Sequence, residues 1–422
     1  MSTRDDMLPA NARCYLVGGA VRDAMLNLEP NERDWVVLGV TPEQMQAAGF
    51  RPVGKDFPVF LHPRTQEEYA LARTERKSGH GYKGFVFHTG PEVTLEQDLQ
   101  RRDLTINAMA RDDDGNLVDP CNGQADIAAR KLRHVAAAFT EDPVRVLRIA
   151  RFMARFAPLG FTVAEETMAL LRQIVEAGEV DHLVPERIWQ ETQKALMSAR
   201  PSAYFQTLQQ CGALARVMPE LAALHGVPQR ADYHPEVDSL VHTLMCVDVA
   251  AAMNYTLPVR YSALVHDLGK ALTPRSEWPS HRMHEQRGVP LVEVMSQRIR
   301  APNECRELAV VHTREHLLIH RVRELRPQTL LDLLERAQAF RHADRFELLL
   351  QAACCDARGR LGFEDVAYPQ ADYLRAAREV ASAIQARDLI AEGLAPGEGL
   401  GKEMQRRRVD ALKVWRGTAS AE

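Results

Sequence analysis

The chain has 422 residues, 45% of them hydrophobic and 26% charged, the composition of a water-soluble globular protein long enough for roughly two to four domains. A formal net charge of -4 and a pI near 6.4 exclude a globally basic nucleic-acid binder, so any RNA contact has to come from local basic patches. The longest apolar runs fall short of the roughly 18–20 residues of a membrane span. The start, MSTRDDMLPANAR, lacks the apolar core of a signal peptide, and the seven cysteines include no C-x-x-C pair, so a reduced cytoplasmic protein without membrane contact is expected.

Cys14 to Val17 reads as a short buried strand that ends at Gly18-Gly19, and Ala20 to Leu28 reads as the following helix. A glycine turn lets backbone N–H groups come close to a phosphate, and Arg22 in the first helical turn can grip the same group through two donors. Glu32 and Asp34 precede the apolar run Trp35 to Leu38; two residues apart on a strand, they face one side. Paired carboxylates beside a phosphate cradle form a Mg2+ site suited to phosphoryl or nucleotidyl transfer. A plain glycine turn with a solvated acidic pair has the same pattern, so this stretch alone leaves both readings open.

Thr41-Pro42-Glu43-Gln44 carries a capping box with Pro at the first helical position, and Gly49 is the stop. Phe57 to His62 and Glu68 to Arg73 read as strands, and the polar, glycine-containing stretch Thr74 to Tyr82 as a mobile loop. In Leu99 to Asp112, Arg102 is placed to hold a triphosphate and Asn107 to bond a sugar hydroxyl; a surface basic pair ahead of an amphipathic helix is the alternative. Strand, turn, helix, paired acids and further strands indicate a small mixed α/β domain.

Four segments carry a specific resemblance: Gly18-Gly19-x-x-Arg22-Asp23, Glu32-x-Asp34, Arg101-Arg102-Asp103-Leu104-Thr105-Ile106-Asn107-Ala108, and Glu141-Asp142-x-x-Arg145-x-x-Arg148-x-x-Arg151-Phe152. In order and spacing they resemble the bacterial CCA-adding enzymes, class II tRNA nucleotidyltransferases of the DNA polymerase β superfamily. The resemblance implies a catalytic centre with Glu32 and Asp34 as Mg2+ ligands, and triphosphate contacts from Gly19, Arg22 and Arg102. It implies tRNA, CTP and ATP as partners. Glu32 is a departure, because the family usually has Asp there and the longer side chain has to retract to keep octahedral geometry.

Pro143 opens a helix with Asp142 as its cap, and Arg145, Arg148 and Arg151 recur every three residues as one stripe. Such a stripe is usually a solvated face; the resemblance makes it the base-reading helix. The carboxylate of Asp142 accepts from cytosine N4 or adenine N6 and repels uracil O4 or guanine O6, while Arg145 donates to cytosine O2/N3 or adenine N1. That pair admits C and A without a nucleic-acid template. By the same resemblance, Arg148 and Arg151 lie near the nucleotide phosphates. From Phe161 to about Met218 the chain reads as a helical support.

A second constellation follows. His242 lies in SLVHTLMCVDVA, His266-Asp267 in RYSALVHDLGKAL, and Asp356 in CCDARGR. Histidine beside aspartate in an apolar helix is costly unless paired or bound to a metal, and mixed N/O donors suit a transition metal, although a lone buried histidine is more often a satisfied core residue. The pattern resembles the HD superfamily of metal-dependent phosphohydrolases, which accompanies some CCA-adding enzymes. It implies a metal centre of His242, His266, Asp267 and Asp356, with His266 and Asp267 catalytic, Ni2+ or another divalent cation, and phosphatase, 2'-nucleotidase and 2',3'-cyclic phosphodiesterase activity. Lys270 is placed to face the phosphate; His281, His284, His312 and His316 are further candidates whose spacing fits no ligand pattern, and Leu317 stands where some relatives have Asp.

The expected architecture is α+β: a mixed-sheet nucleotidyltransferase head at 12–140, an all-α neck and body with the base-reading helix at 141–225, an α-helical HD domain at 226–345, and a helical tail at 346–422 that contacts tRNA. The tail has a glycine-rich break at Glu392 to Lys402 and a basic run, Gln405 to Arg408, that reads equally as a phosphate contact or a solvated helix end. The expected function is addition and repair of the tRNA 3'-terminal CCA, by a monomer or homodimer. The rivals are a poly(A) polymerase, a CC-only enzyme, and an HD phosphohydrolase whose head is an inactive RNA-binding module.

Overall fold

The computed structural model describes residues 6–30, 32–53, 59–77 and 85–419. It divides into two compact units, Met1–Val184 with Gln210–Ala213, and Pro185–Gln209 with Leu214–Glu422.

The first unit begins with β1 (Arg13–Val17), α1 (Gly19–Met25), β2 (Asp34–Leu38), α2 (Pro42–Ala47), β3 (Arg51–Val53), β4 (Val59–Leu61) and β5 (Glu68–Leu71). It continues with β6 (Arg73–Lys77), β7 (Phe85–Thr89), α3 (Leu95–Gln100), β8 (Ala110–Arg111) and β9 (Leu117–Val118). A mixed sheet runs in the order β3-β4-β5-β2-β1-β8-β9. β1 is antiparallel to β2 with Val17 opposite Asp34, and β2 is parallel to β5 with Asp34 opposite Glu68. This register sets the glycine turn, Asp34 and Glu68 at the same edge of the sheet. The run Trp35 to Leu38 lacks polar alternation because both faces are covered: Val37 packs with Met45, Phe50 and Phe60 on one side, Val36 and Leu38 with Leu99 and Ala110 on the other.

The capping box of α2 is reciprocal, with Gln44 N–H donating to Thr41 Oγ1 at 3.4 Å and Thr41 N–H to Gln44 Oε1 at 2.9 Å. α1 is shorter than the expected Ala20 to Leu28, since the chain turns at Asn27 with φ of +55°. The expected loop from Thr74 begins instead as a hairpin, in which Arg73–Lys77 pairs with Phe85–Thr89; positions 78–84 lie outside the described residues, as do 57 and 58 of the strand expected there. The unit closes with α4 (Gly123–Ala128), β10 (Lys131–Leu132), α5 (Val144–Phe156), β11 (Thr162–Val163) and α6 (Glu165–Glu176). β10 and β11 pair in parallel, so the support after Phe161 is not wholly helical.

The chain then runs through α7 (Pro185–Leu196), α8 (Ser202–Cys211), α9 (Ala213–Val217) and α10 (Pro219–Ala222). The second unit is a helical bundle in which α11 (Ser239–Ala252), α12 (Leu257–Val265), α13 (His284–Arg298) and α14 (Asn303–His320) precede α15 (Pro327–Arg336) and α16 (Ala343–Arg358). α11, α12, α14 and α16 pack on one another, and α13 packs on α14 and on the short turn Leu268–Leu272. The boundary expected at 345 therefore falls inside α16, a helix that belongs to the bundle and carries Asp356. α17 (Pro369–Ser382), α18 (Ala386–Ala391) and α19 (Glu398–Ala419) follow.

The expected break at 392–402 is confined to 392–397, because α19 absorbs Gly399 and Gly401. The basic run there is matched by its own acids: Arg406 pairs with Glu403 and Asp410, Arg407 with Glu392 and Glu403, and Arg408 lies 4.3 Å over the Phe340 ring. Among the described residues no helix is long and apolar enough to cross a membrane.

Candidate functional site

In the first unit the glycine turn sits directly after β1. Gly18 has φ of +67°, its N–H donates to the Met109 carbonyl at 3.1 Å, and a Cβ there would lie 2.8 Å from Nη1 of Arg102. The positive φ calls for glycine, and a side chain there would also displace the end of Arg102. At Gly19, the first residue of α1, a Cβ would meet Arg22 Nη2 at an ordinary 3.5 Å.

Arg22 is 4% exposed and braced beneath the turn. Its Nε and Nη2 lie 2.9 and 2.8 Å from Asp23 Oδ1, its Nη1 donates to Asn107 Oδ1 at 2.5 Å, and the guanidinium stacks over the Phe156 ring at 4.9 Å. Asn107 donates one of its two amide N–H groups to Asp103 Oδ1 at 2.9 Å. Asn107, expected at a sugar hydroxyl, is here part of an internal brace. Arg102 reaches Asp98 Oδ2 at 3.2 Å, and its Nε is buried without a hydrogen-bond partner among the described residues.

Glu32 and Asp34 lie at the solvent-facing edge. Lost hydration raises the Asp34 carboxyl, Glu32 adds to the rise, and Arg102 opposes it. Glu68, one strand over, is likewise raised by desolvation, by Asp34 and by Glu32. Carboxylates that hinder one another's ionisation make a place for a hard cation. In the sequence Glu68 is no more than the acid that opens the strand EYALAR, with nothing local to join it to Glu32 and Asp34.

α5 starts at Val144 with Pro143, not Asp142, in the capping position; the Asp142 carboxylate still accepts the Val144 N–H through Oδ1 at 3.1 Å. Arg145, Arg148 and Arg151 are half-buried on one side, with Val146, Leu147, Ile149 and Ala150 buried on the others. Arg145 Nη2 donates to the Arg101 carbonyl at 2.9 Å, and Arg148 grips Asp103 Oδ2 through Nε and Nη2 at 2.8 and 2.6 Å. Against the cost of burial, Arg148 and Asn107 hold the Asp103 carboxyl well below the usual carboxylate range. Arg151 stacks over Phe152 at 4.5 Å. The stripe is therefore partly tied into the head rather than wholly solvated.

In the second unit His242 from α11, His266 and Asp267 from the end of α12, and Asp356 from α16 converge in the interior. His242 Nε2 is 3.1 Å from Asp356 Oδ1 and 3.7 Å from Asp267 Oδ2. His266 donates Nδ1–H to the Ala263 carbonyl at 2.9 Å, which leaves its Nε2 lone pair 3.3 Å from Asp267 Oδ2 and 3.6 Å from Asp356 Oδ1. That Nε2 is buried with no hydrogen-bond partner among the described residues. Burial works to depress His266, yet Asp267 and Asp356 push it up to about 10, the mark of a site that favours positive charge. Cys246 Sγ, fully buried, lies 3.5 Å from His242 Nε2 within the same cluster as His266 and Asp356.

On the other side of Asp267 stand His284 and His316, two of the histidines whose spacing suggested nothing. Their Nδ1 atoms donate to the His281 and Thr313 carbonyls, both at 2.8 Å. Their Nε2 lone pairs face each other at 3.1 Å, and lie 3.2 and 3.8 Å from Asp267 Oδ1, another buried atom without a hydrogen-bond partner among the described residues. Two lone pairs and a carboxylate oxygen so arranged repel one another unless a cation lies between them. A helix-face test would have found part of this, since His312, His316 and His320 recur every four residues along α14. His281 instead bonds Thr273 and the Pro228 carbonyl, and burial, with His266 beside it, pulls His312 down to about 3, its Nδ1 lying 3.0 Å from Ser262 Oγ. Lys270 Nζ reaches Asp267 Oδ2 at 2.5 Å and also bonds the Gln229 amide.

Three family models match parts of the chain. The model of the poly A polymerase head domain matches residues 14–133, that of a probable RNA- and SrmB-binding site of polymerase A matches 160–224, and that of the HD domain matches 240–349. The fold is shared with the Thermotoga maritima CCA-adding enzyme complexed with tRNA (TM-score 0.61, 19% identity, covering 98% of this chain and 92% of that one). It is shared also with the Bacillus stearothermophilus CCA-adding enzyme in complex with CTP (TM-score 0.60, 20% identity, 95% and 89% covered). A multifunctional CCA protein of Alkalilimnicola ehrlichii is 58% identical over 400 residues, 95% of this chain and 97% of its own length. The chain belongs to the family of multifunctional CCA proteins: a nucleotidyltransferase head, a helical body and an HD domain in one polypeptide.

Proposed function

We propose that this protein adds and repairs the 3'-terminal CCA of tRNA from CTP and ATP without a nucleic-acid template, and that its second unit hydrolyses phosphomonoesters, 2'-nucleotides and 2',3'-cyclic phosphates. The observation that carries the first activity is the meeting of Gly18-Gly19, Glu32, Asp34 and Arg102 around one sheet edge in a chain 58% identical to a multifunctional CCA protein.

Glu32 and Asp34 would hold Mg2+ in the head, while His242, His266, Asp267 and Asp356 would hold Ni2+ or another divalent cation in the HD unit. When bound, such cations neutralise charge on phosphoryl oxygens and acidify a coordinated hydroxyl or water. In the head, the tRNA 3'-hydroxyl attacks the α-phosphate and pyrophosphate leaves. Gly19 and Arg102 receive the triphosphate, Arg22 acts on it from beneath the turn, Arg148 and Arg151 add positive charge beside it, and Asp142 with Arg145 reads the base edge. The half-buried setting of that stripe supports this, because a desolvated donor left unpaired by the wrong base is heavily penalised. His266 and Asp267 act in the HD centre, where Lys270 binds a phosphate oxygen. A cytoplasmic monomer or homodimer is the setting we assign.

The poly(A) polymerase reading has its own support in the head-domain match at residues 14–133. A tRNA transcript lacking CCA, incubated with Mg2+ and CTP, ATP, both, UTP or GTP, separates the readings on a sequencing gel. Growth by three nucleotides with CTP and ATP together, then arrest, is expected. An unlimited ladder with ATP alone would mean a poly(A) polymerase, and arrest after two cytidines a CC-only enzyme. Absence of any extension, with hydrolase activity intact, would mean an inactive head.

A further inference from the structure

The loop ahead of α11 carries a carboxylate that the phosphohydrolase reading does not use. Glu236 has a side chain only 2% exposed. Its Oε1 lies 3.0 Å from His242 Nδ1 and 3.0 Å from His234 Nδ1, and its Oε2 accepts the Leu361 N–H at 3.3 Å. The His234 and His242 rings pack edge to face with centroids 4.5 Å apart. One buried carboxylate thus ties His242 to the chain just past Asp356, a second candidate ligand.

The nitrogen chemistry gives this contact a consequence. A neutral imidazole has one N–H and one lone pair, and the partner of the first decides where the second points. His242 Nδ1 lies 3.0 Å from Glu236 Oε1 and 3.1 Å from the Gly359 carbonyl, both closer than the weakly polar Cys246 thiol at 3.9 Å, so it carries the hydrogen and Nε2 is left to bind a cation. His266, His284 and His316 achieve the same orientation with a main-chain carbonyl three residues earlier in the chain. Among these four rings, in the described residues, His242 is the one with a carboxylate oxygen at hydrogen-bond distance from Nδ1, 3.0 Å away; the carboxylate nearest His284 Nδ1, Glu285 Oε2, lies at 3.9 Å. A charged acceptor makes the ring a stronger donor to a metal than a carbonyl does.

We infer that Glu236 is a positioning residue of the metal centre, holding His242 in its metal-binding tautomer and raising its donor strength, with His234 satisfying the rest of the carboxylate. The inference rests on the phosphohydrolase reading of this centre. It is tested with the full chain, stripped of metal with a chelator, as wild type, E236Q and E236D. Ni2+ binding is read by titration calorimetry, and the Ni2+ needed for half-maximal hydrolysis of p-nitrophenyl phosphate is read separately. E236Q should weaken Ni2+ binding and raise that half-maximal concentration by about 10–100-fold, with most of the rate restored at saturating Ni2+. E236D should recover part of the affinity, and CCA addition should be unchanged in both variants.

An unchanged Ni2+ affinity in E236Q overturns the inference, and so does a rate loss that saturating Ni2+ leaves in place while the midpoint stays put. If E236Q fails to fold, H234F decides. It keeps a ring but frees Glu236 for His242 alone, so Ni2+ affinity should hold or rise, and a fall of about tenfold or more overturns the inference. Wild-type protein that neither binds Ni2+ nor cleaves the ester overturns the phosphohydrolase reading itself, a result distinct from any difference among variants.

Discussion

The two sites of this protein are built on opposite plans. In the head, Glu32 and Asp34 stand at an open sheet edge with Glu68 beside them, and Arg102 is the nearby charge that favours ionisation of Asp34. In the HD unit, His242, His266, Asp267, His284, His316 and Asp356 are each 6% exposed or less and already face one another. The first is an incomplete ligand set of hard oxygens. It suits Mg2+, which keeps waters and takes part of its coordination from substrate phosphates. The second is a closed, nitrogen-rich set in which His266 Nε2 and Asp267 Oδ1 are buried without a hydrogen-bond partner among the described residues. On this reading the open site would depend on what the substrate brings, whereas a cation in the closed site would contribute to the stability of its own unit.

The largest effects should come from removing the acids that define each plan. Asp34→Ala should lower nucleotide addition by roughly a thousandfold or more while leaving ester hydrolysis and the melting curve near wild type, because an exposed edge residue costs little to truncate. Asp267→Ala should do the reverse, with hydrolysis lost by about a hundredfold or more and CCA addition retained. Loss of both activities in a folded Asp267→Ala protein would break the separation of the sites. Next in size is the response to chelation. A cation at about 100 times its Kd should stabilise the HD unit by about 2.7 kcal/mol, so stripping it should lower that unit's melting temperature and not that of the head. Equal shifts in both transitions, followed by calorimetry, would contradict the contrast. His284→Gln should sharpen it: loss of one ring nitrogen beside Asp267 should weaken divalent binding by about tenfold and leave tRNA extension untouched.

What the sequence displays is the chemistry that lies close along the chain. Gly18-Gly19 with Arg22, the pair Glu32 and Asp34, the arginine stripe of α5, and the capping box at Thr41 are each local patterns with a period or a spacing to read. What it hides depends on register and on long-range packing. Glu68 joins the acids because β5 pairs with β2 so that Glu68 lies opposite Asp34. His284 and His316 join Asp267 because α13 and α14 pack together, although 32 residues separate the two rings in sequence. Asn107 has a composition that suits a sugar contact, and packing spends its amide on Arg22 and Asp103. The basic run at Arg406 to Arg408 has the composition of a phosphate contact, and neighbouring acids and Phe340 engage it within the unit.

The smallest expected effect separates two adjacent glycines that sequence alone treats as one motif. Ala at Gly18 has to adopt φ of +67° and place its methyl 2.8 Å from Arg102 Nη1, the far end of a flexible side chain. The backbone strain is about 1–2 kcal/mol, and the arginine has to move. Gly19→Ala meets no such barrier: the residue is helical, its methyl would sit 3.5 Å from Arg22 Nη2, and alanine is the better helix former. Gly18→Ala should therefore lower the melting temperature of the head by a few degrees and weaken CTP binding through the displaced Arg102. Gly19→Ala should leave stability equal or higher, and any cost should appear only in KM for nucleotide, where backbone approach to the triphosphate matters. Thermal melting of both variants, paired with KM for CTP, checks the assignment. Equal melting temperatures for the two would mean that the turn relaxes, and that the open site is less rigidly framed than its geometry implies.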